Sequence, residues 1–155
     1  MNDFQVNPGN FKNVQSSTLL DYYKKNNINP VPIKLTDPKD WKIHLEKRRN
    51  LYEHHLGIPL HFLKDRKVIE IGCNSGENAL VLGAMGAKLT LIEPNEQVIP
   101  RLEELFTKFQ LMNQIDALHK ESIENFNSQK KYDIAIAEGY LNILSTRDSM
   151  IKKIC

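Results

Sequence analysis

Cysteine is scarce in this 155-residue chain. Cys73 and Cys155 stand far apart, and neither belongs to a Cys-x-x-Cys pair, which sets aside a zinc knuckle, a redox dithiol and a structural disulfide. No apolar run approaches the roughly 20 residues needed to cross a bilayer. The residues up to Gln15 lack the apolar core behind a basic start that marks a secretory leader. Glycine and proline number only 7 each, far from collagen-like or low-complexity compositions. A surplus of one charge is missing as well: 21 Lys and Arg against 19 Asp and Glu leave a formal +2, too little to imply a nucleic-acid binder by charge alone. His44, His54, His55, His61 and His119 form no His-Glu-x-x-His motif and no Cys/His cluster, so no metal is expected. These absences lead us to expect a cytoplasmic, reduced protein with no membrane partner.

What is present is an ordinary globular balance of 41% hydrophobic and 26% charged residues. At about 150 residues per domain, the length suits one folded unit that buries roughly 70% of its unfolded surface. The first 36 residues are polar and asparagine-rich, broken by Pro8, Pro30 and Pro32, and read as loop with one short helix near residues 18–25 that Ser16 or Ser17 starts. A stronger helix follows, capped by Asp37 with Pro38 in its first position. It carries Trp41, Leu45, Tyr52 and Leu56 on one face, and Gly57 and Pro59 end it. The run Lys47-Arg48-Arg49 within it reads as a solvated face, and His54 and His55 as its exposed end.

From Lys67 onward, short apolar runs alternate with helical stretches. Residues 67–71 (KVIEI) read as a strand, 72–76 as a tight turn, 77–85 as a helix closed by Gly86, and 88–93 (KLTLIE) as the next strand. A helix presenting Leu102, Leu105, Phe106 and Phe109 follows, with Pro100 forcing a late start or a bend. Then come a weaker strand over residues 117–120, a clear apolar one over 132–137 (YDIAIA) suited to a sheet interior, and a last helix opened by a Ser145/Asp148 capping box. Strands alternating with helices mean a Rossmann-like α/β fold, a parallel sheet with helices on both faces. The chain divides into a polar N-terminal arm (1–66) with one or two helices and a second part (67–155).

The chemistry concentrates in Glu70-Ile71-Gly72-Cys73-Asn74-Ser75-Gly76. A strand ending in a glycine turn that opens a helix brings backbone close to a ligand at the carboxyl edge of the sheet, where open α/β folds bind nucleotides. Glycines alone also serve a mere tight turn. Two carboxylates shift the balance. Glu70 lies inside an apolar strand, where an unpaired charge is costly and needs a partner. Glu93 ends the second strand, where a carboxylate can accept both hydroxyls of a ribose; at a strand end it also reads as removable without damage to the fold. A dinucleotide motif wants glycine at positions 74 and 77, and Glu77 in the first helical turn would repel a pyrophosphate. A ligand without phosphate and with a cationic amino group fits better, and S-adenosylmethionine is one.

Residues 68–76 followed by 89–95 resemble the first motif and acidic loop of the class I S-adenosylmethionine-dependent methyltransferases. Lys120-Glu121-Ser122 and residues 132–144 are similar to that family's adenine-side pair and its fourth strand with the substrate-facing loop. The resemblance implies that Gly72, Asn74 and Gly76 line the methionine part and that Glu70 supports its ammonium. It implies further that Glu93 holds the ribose, Pro94 packs on adenine, Glu121 and the Ser122 backbone read the adenine edge, and Glu138 lies near the methionyl end. Asn74 stands where the family has glycine, but it tolerates a left-handed backbone. The family fold has seven strands and this sheet stops after the fourth, so it reads as truncated, with a fourth-strand edge open to self-association. The implied function is methyl transfer from S-adenosylmethionine to an unidentified acceptor, a small molecule ahead of nucleic acid, or cofactor binding alone. Asn142 is a further substrate-side candidate, and so is Tyr140, although Tyr140 reads first as core or loop packing. A nicotinamide-dependent short-chain reductase and a non-catalytic nucleotide-binding module remain as alternatives, and no catalytic base is identifiable.

Overall fold

Four β-branched or aliphatic runs line up as parallel strands in the computed structural model, which describes residues 16–26, 35, 37–139 and 147–154. The strands are β1 (Lys67–Ile71), β2 (Lys88–Ile92), β3 (Ile115–His119) and β4 (Ile134–Ile136), in spatial order β3-β2-β1-β4. β1 is central: Ile69 stands opposite Thr90 on one side and Ala135 on the other. The helices are α1 (Ser16–Asn26), α2 (Pro38–Arg49), α3 (Glu77–Ala84), α4 (Ile99–Lys108) and α5 (Arg147–Ile154). The expectations on Tyr140, Asn142 and Ser145, and on the loop before Ser16, lie outside the described residues.

Strand alternation sorts the core into two layers. Val68, Leu89 and Leu91 face α3 and α4, burying Leu80, Leu82, Leu102 and Phe106. The arm contributes to this same layer through Leu35, Tyr52, Leu60 and Leu63. On the opposite face Ile69, Ile71 and Ile92 meet Ile123, Phe126 and Met150 of α5, so helices do cover both faces. α3 is apolar nearly all round because the sheet, α4 and α2 surround it. α4 starts at Ile99 with Pro100 in its first turn, where a missing N–H costs nothing.

Three local expectations change. α2 does not continue regularly to Leu56: after Arg49 it widens into a π-helical turn (Asn50–His55), and Leu56 N–H bonds back to the Leu51 carbonyl at 3.0 Å. That turn rotates Leu56 into solvent, where it is 55% exposed, while His44, Arg48 and Tyr52 form the buried face. Arg48 is therefore no solvated residue. β4 is shorter than its apolar run, with Ala135 exposed and Ile134 and Ile136 half-buried, because it pairs with β1 alone. Among the described residues its far side has no partner strand, as the expected fourth-strand edge implies. β3 begins earlier than residue 117, at Ile115, through an irregularity opposite Leu89 and Thr90.

Candidate functional site

Among the described residues, Gly72, Asn74, Gly76, Glu93, Pro94, Glu121, Ser122 and Glu138 follow the carboxyl ends of their strands, where a parallel α/β layer leaves its crevice, and Glu70 lies one residue before the end of β1. After β1 the chain turns through Gly72, Asn74 and Gly76, all at positive φ (71°, 51° and 83°). Asn74 adopts the left-handed conformation expected of it, and its side-chain amide donates to the Gly72 carbonyl at 3.2 Å. At Gly76 a side chain is excluded twice over, because a Cβ would stand 2.8 Å from Leu102 Cγ and φ is +83°.

Glu93, just beyond β2 and buried, ties the turn together. One carboxylate oxygen accepts the Asn74 N–H at 2.7 Å and the other accepts the Asn95 N–H at 2.8 Å. Burial pushes its pKa up, and those two donors pull the other way. Each carboxylate oxygen offers two lone pairs, so one on each remains for a ligand donor. Pro94 follows half-buried, and α1 of the arm comes near enough for Glu93, after burial and Tyr22, to raise the pKa of Tyr23.

Glu77, at the start of α3, is also buried and already spent. Its oxygens accept from Ser75 Oγ at 2.6 Å and from Arg101 at 2.9 and 2.7 Å. A carboxylate thus occupies the helix N-terminus that a pyrophosphate would need. His44 of α2 bonds the Glu77 carbonyl at 3.0 Å, pinning the arm to the turn, and burial lowers its pKa. Ser75, Arg101 and His44 escaped the sequence reading because only the folded chain brings α2, α3 and α4 to one point.

Glu70 has no ion-pair partner, contrary to the expectation that burial would demand one. Its Oε2 is buried without a hydrogen bond. Burial pushes its pKa up to about 8, with Arg48 opposing, which favours the protonated form and lowers the cost of leaving the group without a partner. Arg48 is instead committed to Glu138 beyond β4, through contacts of 2.9 and 2.6 Å, and to the Tyr52 hydroxyl at 3.0 Å. Those bonds hold Glu138 below the usual carboxylate range, with partial burial opposing. Arg48 Nε remains buried and unbonded, like Glu70 Oε2. A helical spacing signal was available, since Arg48 precedes Tyr52 by one turn. On the far side Glu121 and Ser122 follow β3, both half-buried; Glu121 lies 3.4 Å from His119, and the Ser122 carbonyl closes a turn by accepting from Asn125 and Phe126. Burial pushes the Cys73 thiol well up, which makes it unreactive.

Comparison with known proteins agrees with this geometry. A family model described as a methyltransferase domain matches residues 36–154. Among curated proteins no sequence matches the chain. Magnesium protoporphyrin IX methyltransferase from Synechocystis PCC 6803, solved with bound S-adenosylmethionine, aligns with a TM-score of 0.62 at 16% identity, covering 89% of this chain and 69% of that one. The 1,6-didemethyltoxoflavin-N1-methyltransferase of Burkholderia thailandensis, solved with 1,6-didemethyltoxoflavin and S-adenosylhomocysteine, aligns at 0.54 and 14% identity over 89% of this chain and 55% of that one. TehB from Haemophilus influenzae aligns at 0.53 and 23% identity, with 86% and 40% covered. At these identities the structures share the fold, and the chain spans 69%, 55% and 40% of their respective lengths. Among the described residues no helix is long and apolar enough to cross a membrane, and no group of three or more His, Cys, Asp or Glu could hold a metal ion.

Proposed function

Since the chain belongs to the class I S-adenosylmethionine-dependent methyltransferase family, we propose that it transfers a methyl group from that cofactor to a small-molecule acceptor in the cytoplasm. The observation that carries this reading is Glu93, buried between the turns after β1 and β2, with a lone pair free on each oxygen and both oxygens already oriented by backbone donors. Glu93 takes the ribose hydroxyls and Pro94 flanks the adenine, whose edge meets Glu121 and the Ser122 backbone. Gly72, Asn74 and Gly76 give the methionine part a turn without obstructing side chains. Glu70 lies beneath that turn with an unbonded oxygen for the amino group, directly or through water, and Glu138 stands at the methionyl end. When held by these residues, S-adenosylmethionine would supply an electrophilic methyl group to an acceptor lone pair and leave as S-adenosylhomocysteine.

The chain's own contribution is positioning, which can account for several kcal/mol of the barrier. A paired Glu138 with a lowered pKa is a poor base. The Glu77 carboxylate at the α3 N-terminus favours this cofactor over nicotinamide dinucleotides. The arm, 1–66, stands as a separate contributor to a cofactor-binding part, 67–155, and the open side of β4 is a place for two copies to associate. The small net charge, +2, supports a small acceptor over nucleic acid. Calorimetric titration with S-adenosylhomocysteine and with NADH tests the cofactor, and release of S-adenosylhomocysteine from S-adenosylmethionine tests turnover. Binding of NADH alone would overturn the reading, and sedimentation at several concentrations tests association.

A further inference from the structure

His119, the last residue of β3, reaches both carboxylates assigned to the adenosine half of the cofactor. Its backbone carbonyl accepts the Glu93 N–H at 2.9 Å, and its Nδ1 lies 3.4 Å from Glu121 Oε1. The imidazole is braced on its other side. It stands edge-on to the Phe126 ring, with centroids 4.9 Å apart and planes at 74°, and Phe126 is buried in the layer of Ile69, Ile71 and Ile92. The Ser122 carbonyl accepts the Phe126 N–H at 3.0 Å, so His119, Ser122 and Phe126 form one tied corner around Glu121.

Glu121 has little else to hold it. Its side chain is 36% exposed, and among the described residues His119 is the one ion-pair partner of its carboxylate. A half-exposed side chain of this length keeps several rotamers unless a partner selects one. A carboxylate at this distance favours a proton on Nδ1, which makes the imidazole the donor and leaves the other carboxylate oxygen as an acceptor.

We propose that His119 is a positioning residue that sets purine selectivity: it holds Glu121 as a fixed acceptor for a 6-amino group, so that an adenosyl ligand is preferred over one with a 6-oxo base. The inference rests on the methyltransferase reading with Glu121 at the adenine edge, and it adds what makes that edge selective. A 6-amino group donates to the carboxylate, whereas a 6-oxo group sets its own lone pairs against it. A carboxylate released from His119 turns away from the oxo group, and the discrimination is lost.

The test measures, on the full chain by calorimetry, the affinity for S-adenosylhomocysteine and for S-inosylhomocysteine, its 6-oxo analogue. The unaltered chain should prefer the adenosyl compound by roughly tenfold or more. His119→Phe keeps a ring against Phe126 and removes Nδ1, at a side chain 35% exposed; it should reduce the preference to about threefold or less, mainly through weaker S-adenosylhomocysteine binding. His119→Val, β-branched and suited to a strand end, makes the same measurement if the larger ring disturbs the corner. His119→Asn supplies an amide N–H in place of Nδ1–H and should restore most of the preference. An unchanged preference in the Phe and Val proteins would overturn the proposal. So would an equal loss of both ligands, the mark of a merely structural role, or a failure of Asn to restore what Phe and Val lose. If the unaltered chain binds S-adenosylhomocysteine without distinguishing the two, the proposal fails and the cofactor assignment stands. If it binds neither, the methyltransferase reading fails and the proposal with it.

Discussion

The turns after β1 and β2 and the flank of β4 sit at the same end of one sheet, yet they are built on opposite plans. Around the turns the carboxylates are held in place: Glu93 by two backbone N–H groups, with a lone pair left on each oxygen, and Glu77 by Ser75 and Arg101. Around β4 an arginine and a glutamate cancel each other beside an open aliphatic wall, and Arg48 Nε and Glu70 Oε2 have no partner. The first region is preorganised, which suits a ligand of fixed shape that must be held in one pose. The second is an apolar face with one mutually neutralised ion pair at its end.

The sharpest way to break the first region is Gly76→Val. Left-handed strain and a clash with Leu102 together should cost roughly 3 to 5 kcal/mol, abolish S-adenosylhomocysteine binding and lower Tm by roughly 10 °C or more in a thermal melt. Next in size is Arg101→Met, which strands the fully buried Glu77 carboxylate with Ser75. A loss of about 3 kcal/mol, at the low end for a broken buried pair because Arg101 is 30% exposed, should appear in denaturant unfolding. Glu93→Ala should weaken S-adenosylhomocysteine by about 1.5 to 3 kcal/mol in calorimetry. The geometry changes the expectation that the fold is spared: one buried and one part-buried N–H group lose their acceptor, so stability falls as well, and Glu93→Gln should restore part of it.

The β4 side should respond more gently. Glu70 has a folded pKa of about 8 against an ordinary 4.5. The folded chain therefore holds a proton that the unfolded chain releases, and its contribution to stability is complete below pH 4.5 and drains away as pH rises to 8. Glu70→Gln should flatten the fall in Tm between about pH 5 and pH 8; an unchanged profile would mean that Arg48 keeps Glu70 ionised. The smallest effect belongs to Glu138→Gln, which should cost about 1 kcal/mol, because the carboxylate is 46% exposed and the amide still accepts from Arg48. A larger loss there than at Glu93 would reverse the contrast between the two regions.

Much of the site was legible because it is local in sequence. The strand, turn and helix of residues 67–84 follow from an apolar run, two glycines and a left-handed Asn74. Glu93 was placed at the end of β2 by the same pattern. What was not legible depends on residues far apart in the chain. Lys47-Arg48-Arg49 looks solvated when only the charge run is considered, and Arg48 is buried only because Glu138, ninety positions away, meets it at 2.6 Å. Leu56 fits a regular helix face until the π-helical turn displaces it. The apolar run at 132–137 suggests a long strand, and only residues 134–136 of it pair with β1.

By itself, then, the sequence determined the alternation of strands and helices, the parallel sheet and the glycine turn with its two acidic partners, since side-chain period, capping and left-handed tolerance act within a few residues. The tertiary structure decided the raised pKa of Glu70, the burial of Arg48 and Glu77, and the aliphatic face beside β4. Desolvation, ion pairing and concavity are properties of surfaces brought together from distant segments, and they come into being only when the arm, the turns and the fourth strand pack against one another.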